Sequence, residues 1–97
     1  MKEKFLPIGT VVLLKNAENK IMITSYLVFS EKSKETIFEY GGCLFPIGVK
    51  DNMSLGFNHD DIEKIIHMGY IDDEQKEINQ YLIEHEEEIK KDIKENM

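Results

Sequence analysis

The sequence predicts an α+β fold: a curved antiparallel sheet of three to five strands, then a short helix, then a long acidic C-terminal helix. Three observations carry this reading. Nearly all the aromatic and β-branched residues lie in the first seventy positions, in short runs separated by turn chemistry. Asn58 to Gly69 has the start and stop signals of a short helix. Residues 73–95 repeat their apolar positions at helical spacing amid dense charge.

Residues 1–6 read as a frayed lead-in, with Pro7 and Gly9 as punctuation. Thr10–Lys15 is a strand run apolar on both faces, Val11 and Leu13 against Val12 and Leu14. Asn16-Ala17-Glu18-Asn19 is a turn, since Asn tolerates left-handed backbone angles. Ile21–Phe29 is the second strand, and the short gap predicts a hairpin. Glu31–Glu35 is a polar loop bearing lysines. Thr36–Tyr40 is a third strand. Gly41-Gly42 marks a bulge or bend, and Cys43–Phe45 continues the strand. Pro46, Gly48, Asp51 and Asn52 form a loop, and Met53–Phe57 adds a short strand.

Asn58 then reads as an N-cap, with Asp60 and Asp61 in the first turn favouring the helix dipole. Phe57 and Ile62 stand at the positions of a hydrophobic staple. The expected helix, 59–68, buries Ile62, Ile65 and Ile66 and ends at Gly69 in a left-handed conformation. Asp72 caps the second helix, with Gln75 completing a capping-box pattern. Its apolar face is Ile78, Leu82, Ile89 and Ile93, with Tyr81 adjacent and His85 filling the gap. From Asp73 to Glu95 it would run about 35 Å, against a body about 28 Å across. Its distal turns, Glu86–Asn96, are therefore expected to extend past the core. One domain results, a body over 5–70 and an acidic arm over 71–97. Strands apolar on both faces must be covered twice or curl, and a small SH3-like barrel is one solution.

Charge bounds the function. Residues 71–97 hold ten carboxylates against four lysines, six of the chain's seven net negative charges. There is no arginine, and nucleic acid is excluded because phosphate binding needs a cationic stripe. Anionic membrane surfaces are disfavoured likewise. The apolar runs are too short for a membrane span, the N-terminal residues lack a signal-peptide pattern, and one cysteine, Cys43, cannot form an internal disulfide. The expectation is a soluble cytoplasmic protein.

No constellation carries catalysis, a metal or a cofactor, so a non-enzyme is expected. His59 beside Asp60 and Asp61 suggests a cluster, but His59 and His67 are eight apart and no second ligand pair completes a set. His67 suits the C-terminal end of the short helix. Cys43 sits among Gly42, Leu44 and Phe45 with no cation to activate it. The glycines match no phosphate-binding pattern.

The stretch Leu6-Pro7-Ile8-Gly9-Thr10-Val11-Val12-Leu13-Leu14-Lys15 resembles the opening motif of the small bacterial domain-of-unknown-function family numbered 4176. So do Tyr40-Gly41-Gly42-Cys43-Leu44-Phe45-Pro46-Ile47-Gly48, Phe57-Asn58-His59-Asp60-Asp61-Ile62 and Gly69-Tyr70-Ile71-Asp72-Asp73-Glu74. Thr10 stands where Ser is usual and Ile47 where Glu is common. The resemblance covers about residues 5–75. It implies a setting beside type VII secretion genes and LXG-type toxins, and a chaperone or targeting adaptor that binds such a toxin before export. An immunity protein neutralising a toxin is the alternative, and a hydrolase using His59 and an Asp the third. On the leading reading Tyr26, Phe29 and Phe38 would be apolar anchors, and Glu84, Glu86, Glu87 and Glu88 would steer a basic client. A homodimer through the C-terminal helix is a further option.

Overall fold

In the computed structural model the described residues are 3–30, 36–51 and 54–96. The expected loop Glu31–Glu35 and the strand start at Met53 lie outside them. Five strands form one antiparallel sheet: β1 (Val11–Leu14), β2 (Lys20–Ser30), β3 (Thr36–Phe45), β4 (Leu55–Phe57) and β5 (Ile62–His67). Their order is β4-β3-β2-β1-β5, and one helix, α1 (Asp73–Glu95), follows. The α+β class and the antiparallel sheet thus stand.

The short helix over 59–68 is corrected. Its capping chemistry is real but lasts one turn. Asp61 Oδ2 accepts the Asn58 N–H at 2.8 Å, and His59–Asp61 form a 3-10 turn. Ile62–His67 then pairs with the open edge of β1, Leu14 opposite Ile62 and Val12 opposite Ile65. The ladder satisfies the backbone of both segments, and three isoleucines in six residues suit a strand as well as a helix. Ile62 is fully buried, Ile65 half-buried and Ile66 exposed. Gly69 does not cap a helix. A Cβ there would lie 2.3 Å from the Ile8 carbonyl oxygen, so glycine is required for close approach.

The 3-10 turn also decides the sheet's curvature. It joins strands at opposite ends of the order. Edge strands of a flat five-stranded sheet would be about 19 Å apart, more than one 3-10 turn reaches at about 2 Å per residue. The sheet therefore curls towards a barrel. It remains open, with no ladder between β4 and β5 among the described residues. A one-residue shift between Ile23 and Ser25 makes Thr24 a bulge in β2, facing the Gly41-Gly42 pair.

The curled sheet encloses a first core of Leu6, Val12, Ile21, Ile23, Tyr40, Phe57 and Ile62. Tyr40 stacks on Phe57 at 5.2 Å between ring centroids. A second cluster, Phe5, Leu27 and Leu82, with Ile37, Ile89 and Ile93 against it, joins β2 and β3 to α1. Here two expectations are corrected. Phe5 and Leu6 are buried, so the lead-in is part of the core. The distal helix does not extend past the body. Ile89 and Ile93 pack on it, and the helix matches the molecule's longest dimension, 35 Å. Asp72 caps α1 as expected, accepting the Gln75 N–H at 2.9 Å.

Candidate binding groove

The residues before β1 form a strap between the sheet and α1. Polar groups on the inward side of α1 hold it there. Asn79 Nδ2 donates to the carbonyls of Lys4 at 2.7 Å and Phe5 at 2.9 Å. Gln75 Nε2 donates to the Tyr26 hydroxyl at 2.9 Å, and that hydroxyl donates to the Leu6 carbonyl at 2.6 Å. Lys4 pairs with Glu39 of β3 and with Glu86 of α1, and Lys90 donates to Glu86 at 2.6 Å. Each buried backbone acceptor of the strap that these groups reach would otherwise lose its water without a replacement.

Behind the strap lies a buried polar chain. The Leu6 N–H donates to the Tyr40 hydroxyl at 3.1 Å, and that hydroxyl lies 2.8 Å from His59 Nδ1. Glu39 Oε1 accepts the His59 N–H at 2.8 Å, and the Glu39 N–H donates to Asn58 Oδ1 at 3.0 Å. Burial would push the Glu39 carboxyl up. The Lys4 ammonium and the His59 N–H outweigh it and hold the carboxyl below its usual range. Lys4 is raised, chiefly by its hydrogen bond to Glu39. Burial pushes Tyr40 up to about 12. This chain positions the strap, and its members are enclosed rather than offered to a substrate.

The strap and the β5–α1 link leave an open groove of about 730 Å³ between them. Leu6, Pro7, Met68 and Ile71 give it an apolar floor, and Gln75, Lys76, Asn79 and Gln80 rim it from the first turns of α1. A volume of this size lies within the range of peptide and small-molecule sites. Among the described residues no group of three His, Cys, Asp or Glu side chains is placed to hold a metal ion. No helix among them is long and apolar enough to cross a membrane.

The residues expected to contact a partner do not form one surface. Tyr26 is half-buried, its hydroxyl tied to Leu6 and Gln75. Phe29 lies opposite Ile37 and Val28 opposite Phe38. Strand alternation therefore sends Phe29 and Phe38 to opposite faces of the hairpin. Glu84, Glu87 and Glu88 are exposed on α1, whereas Glu86 is enclosed between Lys4 and Lys90. Sequence reasoning missed Lys4, Phe5, Glu39, Asn79 and Met68. The available signal was the apolar pair Phe5-Leu6 immediately before Pro7.

A family model described as Domain of unknown function (DUF4176) matches residues 5–78. The chain belongs to the DUF4176 family. No curated protein and no solved structure matches it. The DUF4176 match takes in the strap from Phe5, the sheet and the groove floor, and it ends at Ile78 in the second turn of α1. The acidic turns beyond Ile78 are outside it.

Proposed function

We propose that this DUF4176 protein is a cytoplasmic chaperone or targeting adaptor that holds an LXG-type toxin before type VII export. The open groove beside the strap is the observation that supports this reading. Its apolar floor suits the side chains of an extended client segment. The reading takes the protein as a binding module and not an enzyme, in keeping with an enclosed His59. Co-expression with the toxin encoded beside it is the test. A stable complex is expected, and Ile71→Asp, a change at an exposed floor position, is expected to abolish it without unfolding the chain. No complex at low micromolar concentration would overturn the reading. Protection of cells that make the toxin internally, without any effect on export, would replace it with the immunity role.

A further inference from the structure

Lys4 and Phe5 lie in the cleft between the β2–β3 hairpin and α1 in the manner of a bound peptide. Neither belongs to a strand, and a side chain of α1 holds their main chain instead. Asn79 Nδ2 bridges the two carbonyls. The Phe5 ring is fully enclosed, edge-on to Tyr26 at 5.7 Å between centroids and clustered with Leu27 and Leu82. The Lys4 ammonium lies between Glu39 and Glu86. The Lys4 side chain is 42% exposed, whereas those of Glu39 and Glu86 are 10% and 12% exposed. The two carboxylates are thus built into the cleft, and the cation reaches them from its mouth.

Three features make this pair a replaceable occupant. Leu6 is fixed in the first core, so the chain turns sharply to bring Phe5 into the cleft, and Phe5 takes φ 62°. A side chain disfavours that left-handed backbone. A segment of another protein is not joined to Leu6 and presents an aromatic ring without the turn. Phe5 also forms part of the groove wall with Glu3, Leu6 and Pro7, so a client in the groove lies beside the Phe5 pocket. Finally, with Lys4 withdrawn, Lys90 is the one ammonium left beside the two carboxylates among the described residues. Nearly buried carboxylates short of a counter-charge favour a new cation.

We propose that this cleft is a binding site for a lysine or arginine followed by an aromatic residue in a segment of a partner protein, and that Lys4 and Phe5 are its internal competitor. The partner's cation takes the place of the Lys4 ammonium between Glu39 and Glu86. Its ring takes the Phe5 pocket, and Asn79 takes its main chain. The fraction of molecules with Lys4 and Phe5 displaced then sets the apparent affinity. The inference rests on the reading of the protein as a binding module, and it names the side chains that would anchor a client lying in the groove.

The test is calorimetric titration with the capped peptide Gly-Ser-Lys-Phe-Ser-Gly and with counterparts carrying glutamate for its lysine or alanine for its phenylalanine. Phe5→Ala vacates the pocket and should bind the lysine–phenylalanine peptide at least about tenfold more tightly than the unsubstituted chain does. Each counterpart should bind Phe5→Ala at least about tenfold more weakly. In the unsubstituted chain, saturating peptide should move the Phe5 ring resonances to those of a solvated phenylalanine. Equal affinity for the two proteins, or a peptide that binds with Phe5 still enclosed, would overturn the proposal. Should Phe5→Ala fail to fold, Lys4→Ser, a milder change at a partly exposed side chain, should bind the peptide about threefold more tightly than the unsubstituted chain, and unchanged affinity would overturn it. A dimer of the unsubstituted chain that Phe5→Ala abolishes would make a second copy the occupant and would also overturn it. In co-purification, a toxin client captured equally by the unsubstituted chain and by Phe5→Ala would overturn it while leaving the groove reading intact. A client captured by neither would remove the adaptor reading instead, and the peptide titration would still decide this one.

Discussion

Around Tyr40, all five strands of the curled sheet contribute buried side chains or close the layer about them. Beneath α1, by contrast, only Phe5, Leu27 and Leu82 are fully enclosed, and polar ties do much of the holding: Lys4 to Glu39 and Glu86, Asn79 to the strap carbonyls, and Gln75 to Tyr26. Two of those three apolar residues sit on left-handed backbone, Phe5 at φ 62° and Leu27 at φ 49°, a conformation that disfavours bulky side chains by about 1–2 kcal/mol each. The exposed part of the Lys4 pair contributes little to offset this. The barrel-like core, Leu6 included, is therefore the stable unit, and α1 with Lys4 and Phe5 is the layer that opens first. The proposed groove spans the two, its Leu6 and Met68 floor on the first core and its polar rim on α1.

The strongest test of this contrast is Ile62→Asp. The residue is fully buried in the first core, so the buried charge should cost about 3–5 kcal/mol and abolish cooperative unfolding followed by circular dichroism. A variant that unfolds normally would mean the first core is not the stable unit. Leu82→Ala should cost about 2–3 kcal/mol. Its amide exchange should accelerate in α1 and the strap while β2 and β3 stay protected. Uniform acceleration would merge the two regions into one. Gly69→Ala forces a methyl against the Ile8 carbonyl and should cost about 1–3 kcal/mol in denaturant titrations. The smallest effect is pH dependence. The Glu39 carboxyl is lowered in the folded state, so its contribution is complete above the unfolded value and is lost as pH falls through about 4.5 and below. Glu39→Gln should flatten that acid slope in stability measurements, and an unchanged slope would detach the Lys4 tie from the second layer.

Local chemistry was legible in the sequence. The Asp72 cap, the span of α1 and the β1–β2 turn at Asn16 with φ 62° all follow from short-range signals. The segment 58–68 was not legible, because the free edge of β1 decides it, and that edge lies over forty positions away in the chain. The thin apolar stripe of α1 suggested a projecting arm because half of its inward face is polar. Gln75, Asn79 and Glu86 count as solvent-facing in a hydrophobic pattern, and only the strap and β3 reveal what they bind. The groove was hidden for the same reason. Its walls are residues 3–7 and 68–80, which no spacing rule brings together.

Lys4 and Glu86 stand 82 residues apart. A ribosome releases the chain from its N-terminal side, so Lys4 and Phe5 are synthesised long before the α1 residues that hold them. During that interval Phe5 has no Leu82 to meet, and the surface later covered by α1 faces solvent or whatever binds it there. Timing of translation, as much as affinity, would then set when this fold can first take hold of another polypeptide.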